Sequence, residues 1–401
     1  MSVTCVMWEF DGVSLSGSFD WVLPPSKSHI IRWLALCSQG QSDVRISFSG
    51  VPGEDSISMA RCLMSMGSEI DFSDDNWVIC GKKDSLFIPD YDLQCGNSGT
   101  TANVISAMSA CLDGTAIIDG DDSLRRRKSQ GLCEALIELG CDVSNYSIPR
   151  RISGKICLDK ATLDWKETSQ GASAMVLASP NLESNISLSL RGSPVSLGYW
   201  ELTKEICSKS GIEINTEKGI LNLGPWEVNA PTEISVYGEQ SLSPMGTLFS
   251  RLHDVEIRTN RTEDIRGLGL AIRKMESGQK ILNLKDASDI ITPSAAIMAL
   301  GSGGRITGCP HARGKESDRI SKTVKMLGEF GLRTQESDDG IIIPGNQSIS
   351  CPENPVETYS DHRMAMTAMI LASKVGGTIE GPECVNATDS RFVDQLEEIC
   401  G

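Results

Sequence analysis

Six times along the chain, a run of small and apolar residues begins at a cluster of hydroxyl, amide or charged side chains. The runs are SKSHIIRWLALCSQG from Ser26, NSGTTANVISAMSACLDG from Asn97, SQGASAMVLASP from Ser169, SLSPMGTLFSRLH from Ser241, DIITPSAAIMALGSGG from Asp289 and DHRMAMTAMILASKVGG from Asp361. Each leads into a short β-like stretch, such as VRISFSGV, TAIIDGD or GRITGCP. Between them lie amphipathic patterns that close on glycine, at Gly67, Gly140, Gly211 and Gly331; LGLAIRKMESG is a weaker copy and FVDQLEEICG a sixth. Apolar residues at helical spacing with glycine just past the end predict a helix followed by a turn. The chain therefore reads as six copies of helix, strand, helix and strand. A repeat of roughly seventy residues is longer than the common solenoid periods, so three plus three copies in closed units are expected.

Length agrees, because 401 residues exceed one ordinary core and two domains follow. Turn-like residues near Gly17-Ser18-Phe19-Asp20 and Tyr237-Gly238-Glu239 place the crossings. The expected division is residues 1–18 with 237–401, the N-terminal strand joining the C-terminal half, and 19–236 as an inserted domain. With 37 basic and 53 acidic residues the formal charge is −16, which opposes binding to nucleic acid or to an anionic membrane. An anionic ligand must therefore meet a local basic cluster. No apolar run is long enough to span a bilayer and no leader pattern is evident, so a cytoplasmic protein is expected. Fourteen cysteines, from Cys5 to Cys400, form no C-x-x-C pair. Reduced thiols used as small core residues are expected, rather than disulfides or a zinc site.

The polar starts of the runs carry the chemistry. A helix N-terminus presents unpaired N–H groups and the positive end of a dipole. At the first run that end also carries Lys27 and Ser28, with Arg32 one turn on, a pattern suited to phosphate or carboxylate. Gly96-Asn97-Ser98-Gly99-Thr100-Thr101 likewise lets a ligand approach backbone closely. There is no Walker loop, and Gly267-Leu268-Gly269 lacks the third glycine of a dinucleotide fingerprint. Arg125-Arg126-Arg127-Lys128 reads by itself as a solvated basic run. Arg313-Gly314-Lys315-Glu316-Ser317-Asp318-Arg319 precedes a helix that Ser317 or Asp318 is placed to cap. Asp361 and Asp289 are further cap candidates, and Asp361 as a cap leaves His362 and Arg363 to be explained.

In this order the segments LPPSKSHIIR, CGNSGTT, ETSQGASAM, GKESDR and YSDHRMAM resemble the motifs of the enolpyruvyl transferases, in their shikimate-pathway branch, over nearly the whole chain. The resemblance implies a two-domain inverse α/β barrel of six βαβαββ-type repeats that closes on substrate, with the active site in the interdomain cleft. It implies transfer of the enolpyruvyl group of phosphoenolpyruvate to the 5-hydroxyl of shikimate 3-phosphate, without metal or organic cofactor, by a monomer. By motif position, Lys27, Ser28, Arg32, Thr168, Ser169, Gln170, Ser196, Tyr199, Asp289 and Lys315 fall on the shikimate 3-phosphate side. Lys27, Gly99, Arg127, Gln170, Arg319 and Arg363 fall on the phosphoenolpyruvate side. Asp289 and Glu316 become the acid–base pair, with Lys27, Lys315 and His362 assisting. Both substrates are polyanions, which accounts for basic clusters in an acidic chain. The sister branch acting on UDP-N-acetylglucosamine fits less well, because it places a cysteine where this chain has Ser123-Leu124-Arg125-Arg126-Arg127. A non-catalytic shikimate 3-phosphate-binding homologue is the other alternative. Its motive lies in four departures: Ala387 replaces a family lysine, Asn103 an arginine, Pro25 a glycine and His311 an asparagine. Arg391 is the expected stand-in for the lysine, and the lost cations predict weakened phosphoenolpyruvate binding.

Overall fold

The computed structural model describes residues 6–81 and 86–401, so Cys5 lies outside the described residues. The chain divides into two compact units, one of residues 25–236 and one of residues up to 24 together with 237–401. Six sheets carry the six repeats. Four share one plan, shown by Lys160–Asp164, Ile186–Arg191, Ile220–Leu223 and Thr216–Glu217. The first two strands run parallel, and an antiparallel hairpin adds to the second. Strand order is the same in the sheets built around Val44–Phe48, Thr115–Asp119 and Gly304–Thr307. The remaining two are smaller, one of three strands and one the parallel pair Ser18–Trp21 with Glu256–Thr259.

The first crossing falls at Pro24 to Pro25, a few residues past the Gly17 turn. Ser18–Trp21 is retained by its pairing with Glu256–Thr259, and Trp21 packs on Phe249 and Phe392 at 5.6 and 5.4 Å. Met7–Phe10 pairs antiparallel with Gly377–Glu380 in the same unit.

Unit 25–236 holds helices α1 (Lys27–Cys37), α2 (Glu54–Ser65), α3 (Gly99–Ser109), α4 (Gln130–Glu138), α5 (Gln170–Ala178) and α6 (Leu197–Lys209). The other unit holds α7 (Ser243–His253), α8 (Leu268–Glu276), α9 (Ile291–Leu300), α10 (Arg319–Glu329), α11 (His362–Val375) and α12 (Phe392–Cys400). The small-residue helices form the centres: α1, α3 and α5 pack on one another in one unit, and α7, α9 and α11 do so in the other. A helix that is apolar or small on every side has no solvent face to keep, so it goes inside. In α9 every residue from Ile291 to Ala299 is buried. The amphipathic helices close where expected, with Gly67, Gly140, Gly211 and Gly331 at φ of 102°, 100°, 109° and 78°. The thirteen described cysteines are free and mostly buried. No helix among the described residues is long and apolar enough to cross a membrane.

Burial also sets the acid response. Desolvation lowers His29 to about 3, with Arg32 and Lys209 adding to it, and lowers His253 to about 4, helped by Lys374. Desolvation raises Asp389 to about 7, against the Arg391 N–H and charge. Desolvation and then Lys315 lower His311 to about 4 as well, so below pH 6.5 the unfolded chain protonates three histidines that the fold holds neutral, and stability falls as pH falls. Asp389 works the other way, since the folded state keeps its proton from about pH 4 to 7. Between pH 6.5 and 4 the net is about two protons, and stability should fall by about 2.7 kcal/mol per pH unit. Urea titrations at several pH values read this slope. A flat profile would contradict it.

Candidate functional site

In unit 25–236 the polar run starts gather at the N-terminal ends of packed helices. Lys27, first residue of α1, pairs with Asp55 at 2.9 Å, an aspartate on α2 that the repeat pattern did not mark. Arg32 is 2% exposed; its Nε donates to Thr203 Oγ1 at 2.8 Å, and its Nη groups donate to Ser28 O at 2.8 Å and Tyr199 O at 3.1 Å. The guanidinium thereby ties α1 to the first turn of α6. Ser196, which begins α6, has φ 56°, and its carbonyl accepts from Ser169 Oγ at 3.3 Å. A non-glycine residue in that region carries strain, which is found where a site demands it.

Thr168 Oγ1 accepts from Gln170 N at 3.2 Å, fixing the start of α5. Gln170 Oε1 accepts from Asn103 Nδ2 at 2.9 Å, across the α3–α5 contact. Gly99 opens α3, and a Cβ there would stand 3.5 Å from an Arg127 Nη and 3.6 Å from Gln170 Oε1. Glycine thus keeps the backbone accessible between these two side chains. Arg127 also donates to Asn97 Oδ1, and to Ser123 Oγ at 3.2 Å. The structure therefore brings together Lys27, Ser28, Arg32, Ser169, Ser196 and Tyr199, and likewise Gly99, Arg127, Gln170 and Asn103.

In the other unit the centre is Arg319, fully buried at the start of α10. It reaches Asp289 Oδ1 at 2.9 Å, Glu316 Oε2 at 2.5 Å and Asp361 Oδ2 at 2.8 Å. Burial works against its charge, but Asp361, Glu316 and Asp289 outweigh it, so its proton is held more tightly than usual. Asp318 caps α10 through Ile320 N and Ser321 N, while Ser317 Oγ bonds Asp361 Oδ2 at 2.9 Å. Asp361 accepts from Arg363 N at the start of α11, combining cap and ion-pair partner. Asp289 is not a cap; it sits in the short turn Ser288–Ile290, turned to Arg319. His362 is buried beside Arg363, whose Nη groups bond Ser241 O at 2.9 Å and Ser241 Oγ at 2.7 Å. Tyr359 and Ser360, just before this motif, both have positive φ, 57° and 54°. Lys315 has no hydrogen-bond or ion-pair partner among the described residues.

Two residues at family departures are informative here. Both ring nitrogens of His311 are buried without a partner, in a turn packed against that of Asp289. Desolvation, then Lys315, pushes its pKa down to about 4, against Asp289. A neutral imidazole is thus available at neutral pH, and its appearance in GCPHARGKES was visible in sequence without a role. Arg391 does not stand in for the lysine missing at Ala387: it pairs with Asp394 at 3.2 Å and Glu398 at 3.3 Å on the exposed side of α12. No cluster of three or more metal-ligating side chains occurs among the described residues.

The model of the EPSP synthase family, 3-phosphoshikimate 1-carboxyvinyltransferase, matches residues 14–275 and 239–396. A 3-phosphoshikimate 1-carboxyvinyltransferase of Methanothermobacter thermautotrophicus is 27% identical over 96% of this chain and 97% of its own. One of Methanococcus maripaludis is 29% identical over 94% and 95%. Among solved structures, an EPSP synthase from Acinetobacter baumannii has a similar fold, with a TM-score of 0.76 at 19% identity, covering 99% of this chain and 98% of that one. That likeness carries the two-domain, inside-out α/β architecture, and the match along nearly the whole chain carries the rest: this protein belongs to the EPSP synthase family, the transferases of the shikimate pathway.

Proposed function

We propose that this chain adds phosphoenolpyruvate to the 5-hydroxyl of shikimate 3-phosphate and then eliminates phosphate, through a tetrahedral ketal. The observation that carries the reading is one fully buried arginine, Arg319, shared by Asp289, Glu316 and Asp361. Three carboxylates on one cation form a charge arrangement that an incoming anion can rearrange. A phosphoenolpyruvate carboxylate or phosphate competing for Arg319 releases Glu316, and with it a group able to exchange a proton. Asp289 takes the proton of the attacking hydroxyl. Glu316, with Lys315 beside the neutral His311 and with His362, supplies the proton at the methylene carbon. In the elimination the same carbon gives up a proton as the carbon–oxygen bond to phosphate breaks, restoring the enol ether.

Unit 25–236 supplies further binding residues. Lys27 and Ser28 at the start of α1 meet the shikimate phosphate, where dipole and ammonium both favour an anion. Thr168, Ser169, Gln170, Ser196 and Tyr199 line the sugar-like ring and its phosphate, and Arg32 holds α6 in place for them. Gly99, Arg127 and Gln170 face phosphoenolpyruvate, as do Arg319 and Arg363.

The test is phosphate release from the purified chain given phosphoenolpyruvate with shikimate 3-phosphate, with each alone and with UDP-N-acetylglucosamine as controls. Release that requires shikimate 3-phosphate is expected, with the enol ether identified by NMR. Release with the UDP-sugar instead would transfer the assignment to the sister branch, and binding without release would leave a non-catalytic protein.

A further inference from the structure

Between strand Val356–Glu357 and α11 the chain turns at Thr358-Tyr359-Ser360-Asp361. Thr358 O accepts from Asp361 N at 3.0 Å, and both central residues have positive φ, so the turn has the backbone signs of type I′. Such turns belong to glycine, asparagine and aspartate, whose absent or short side chains tolerate them. A tyrosine followed by a serine does not choose this backbone on local grounds, so contacts outside the turn must hold it.

Those contacts come from α10. Lys322 Nζ stands 4.3 Å and Lys325 Nζ 5.5 Å from the centre of the Tyr359 ring, within reach of a cation–π attraction. Lys325 divides its charge with Glu357 at 3.7 Å, so Lys322 is the principal contact. Both lysines lie on the helix that begins at Arg319. That helix thus grips the turn twice, at the Tyr359 ring and at the Asp361 carboxylate. Asp361 Oδ2 accepts from Ser317 Oγ at 2.9 Å and Arg319 Nε at 2.8 Å, and Oδ1 accepts from Arg319 Nη2 at 3.2 Å and Arg363 N at 3.0 Å. With both oxygens of a fully buried carboxylate so engaged, its angle is closely fixed, and the turn just before it sets that angle.

We propose that Tyr359 is a positioning residue for phosphoenolpyruvate binding: the lysines of α10 hold its ring, the ring holds the turn, and the turn aims Asp361 so that Arg319 and Arg363 face the substrate. A turn that its own residues disfavour has an alternative close in energy. Loosening the grip therefore lowers the fraction of chains ready to bind and raises the apparent KM in proportion, while the bound complex reacts as before. The consequence for phosphoenolpyruvate rests on the functional reading above; the grip on the turn does not.

The experiment pairs hydrogen exchange with steady-state kinetics on the full chain and on K322Q, K322R, Y359L and the double variant K322Q/Y359L. Exchange is followed by mass spectrometry on peptides spanning residues 356–364. K322Q should speed exchange there about 2- to 5-fold, the worth of one exposed cation–π contact, and raise the KM for phosphoenolpyruvate by a similar factor with kcat unchanged. K322R should restore both, because a guanidinium also stacks on a ring. Y359L should raise both further, and adding K322Q to Y359L should change nothing more. K322Q alters a side chain that reaches solvent, so it tests the same contact should Y359L melt early. Exchange unaltered in K322Q, or K322R behaving as K322Q, would overturn the grip. An effect of K322Q that persists in full on Y359L would mean that the lysine attracts the anion at large, and would overturn the role of the ring. Faster exchange with an unmoved KM would overturn the link to phosphoenolpyruvate. Exchange is read without turnover, so failure of the transferase reading and failure of the grip are separate outcomes.

Discussion

Glu316→Gln should lower turnover about 10³-fold while leaving the melting temperature nearly unchanged. The amide keeps the shape of the carboxylate and can still accept from Arg319 Nη2, which Glu316 reaches at 2.5 Å in the parent. What it loses is the ability to carry a proton, and addition followed by elimination requires one to be given and later taken back. Removing one of three negative charges around Arg319 is tolerated because Asp289 and Asp361 remain, at 2.9 and 2.8 Å. Phosphate release with both substrates, paired with a melting curve, separates chemistry from folding. Turnover at the parent rate would withdraw Glu316 from the proton transfers.

Arg319→Met should cost stability as well as activity, by about 3–5 kcal/mol, because it leaves buried carboxylates without their cation. Asp361 is wholly buried, and it also accepts from Ser317 Oγ and Arg363 N. Its charge would remain in a dry site with hydrogen bonds but no ion pair. Such a loss lowers the melting temperature by roughly 5 °C in a chain of this size. Circular dichroism melting reads it directly. A variant that melts with the parent would mean that the three carboxylates gain little from Arg319, and the charge-rearrangement mechanism would lose its basis.

The repeat was legible because its signals are local. Small residues at every helical position, glycines at the C′ position and a polar cluster at each start are written within short windows, and the structure places helices and strands accordingly. The position of most candidate residues followed from the same windows, since Lys27, Gly99, Gln170, Arg319 and His362 each stand at or near the first turn of a helix. Two assignments from local signals did not hold. Asp289 looked like a cap and is an ion-pair partner, and Arg391 looked like a replacement cation and is spent on Asp394 and Glu398.

What the amino-acid order determined by itself was the alternation of helix and strand, the buried character of six helices and the identity of the residues at their N-termini. Those depend on periodicity and turn chemistry over a few residues. Only the tertiary structure decided which partner each charge takes. Lys27 meets Asp55, Asn103 meets Gln170, and Arg319 gathers Asp289 and Asp361, each pair far apart in sequence. Such contacts arise where helices from different repeats pack together, and hydrogen bonds only a few ångströms long are set by that packing, which no local pattern encodes.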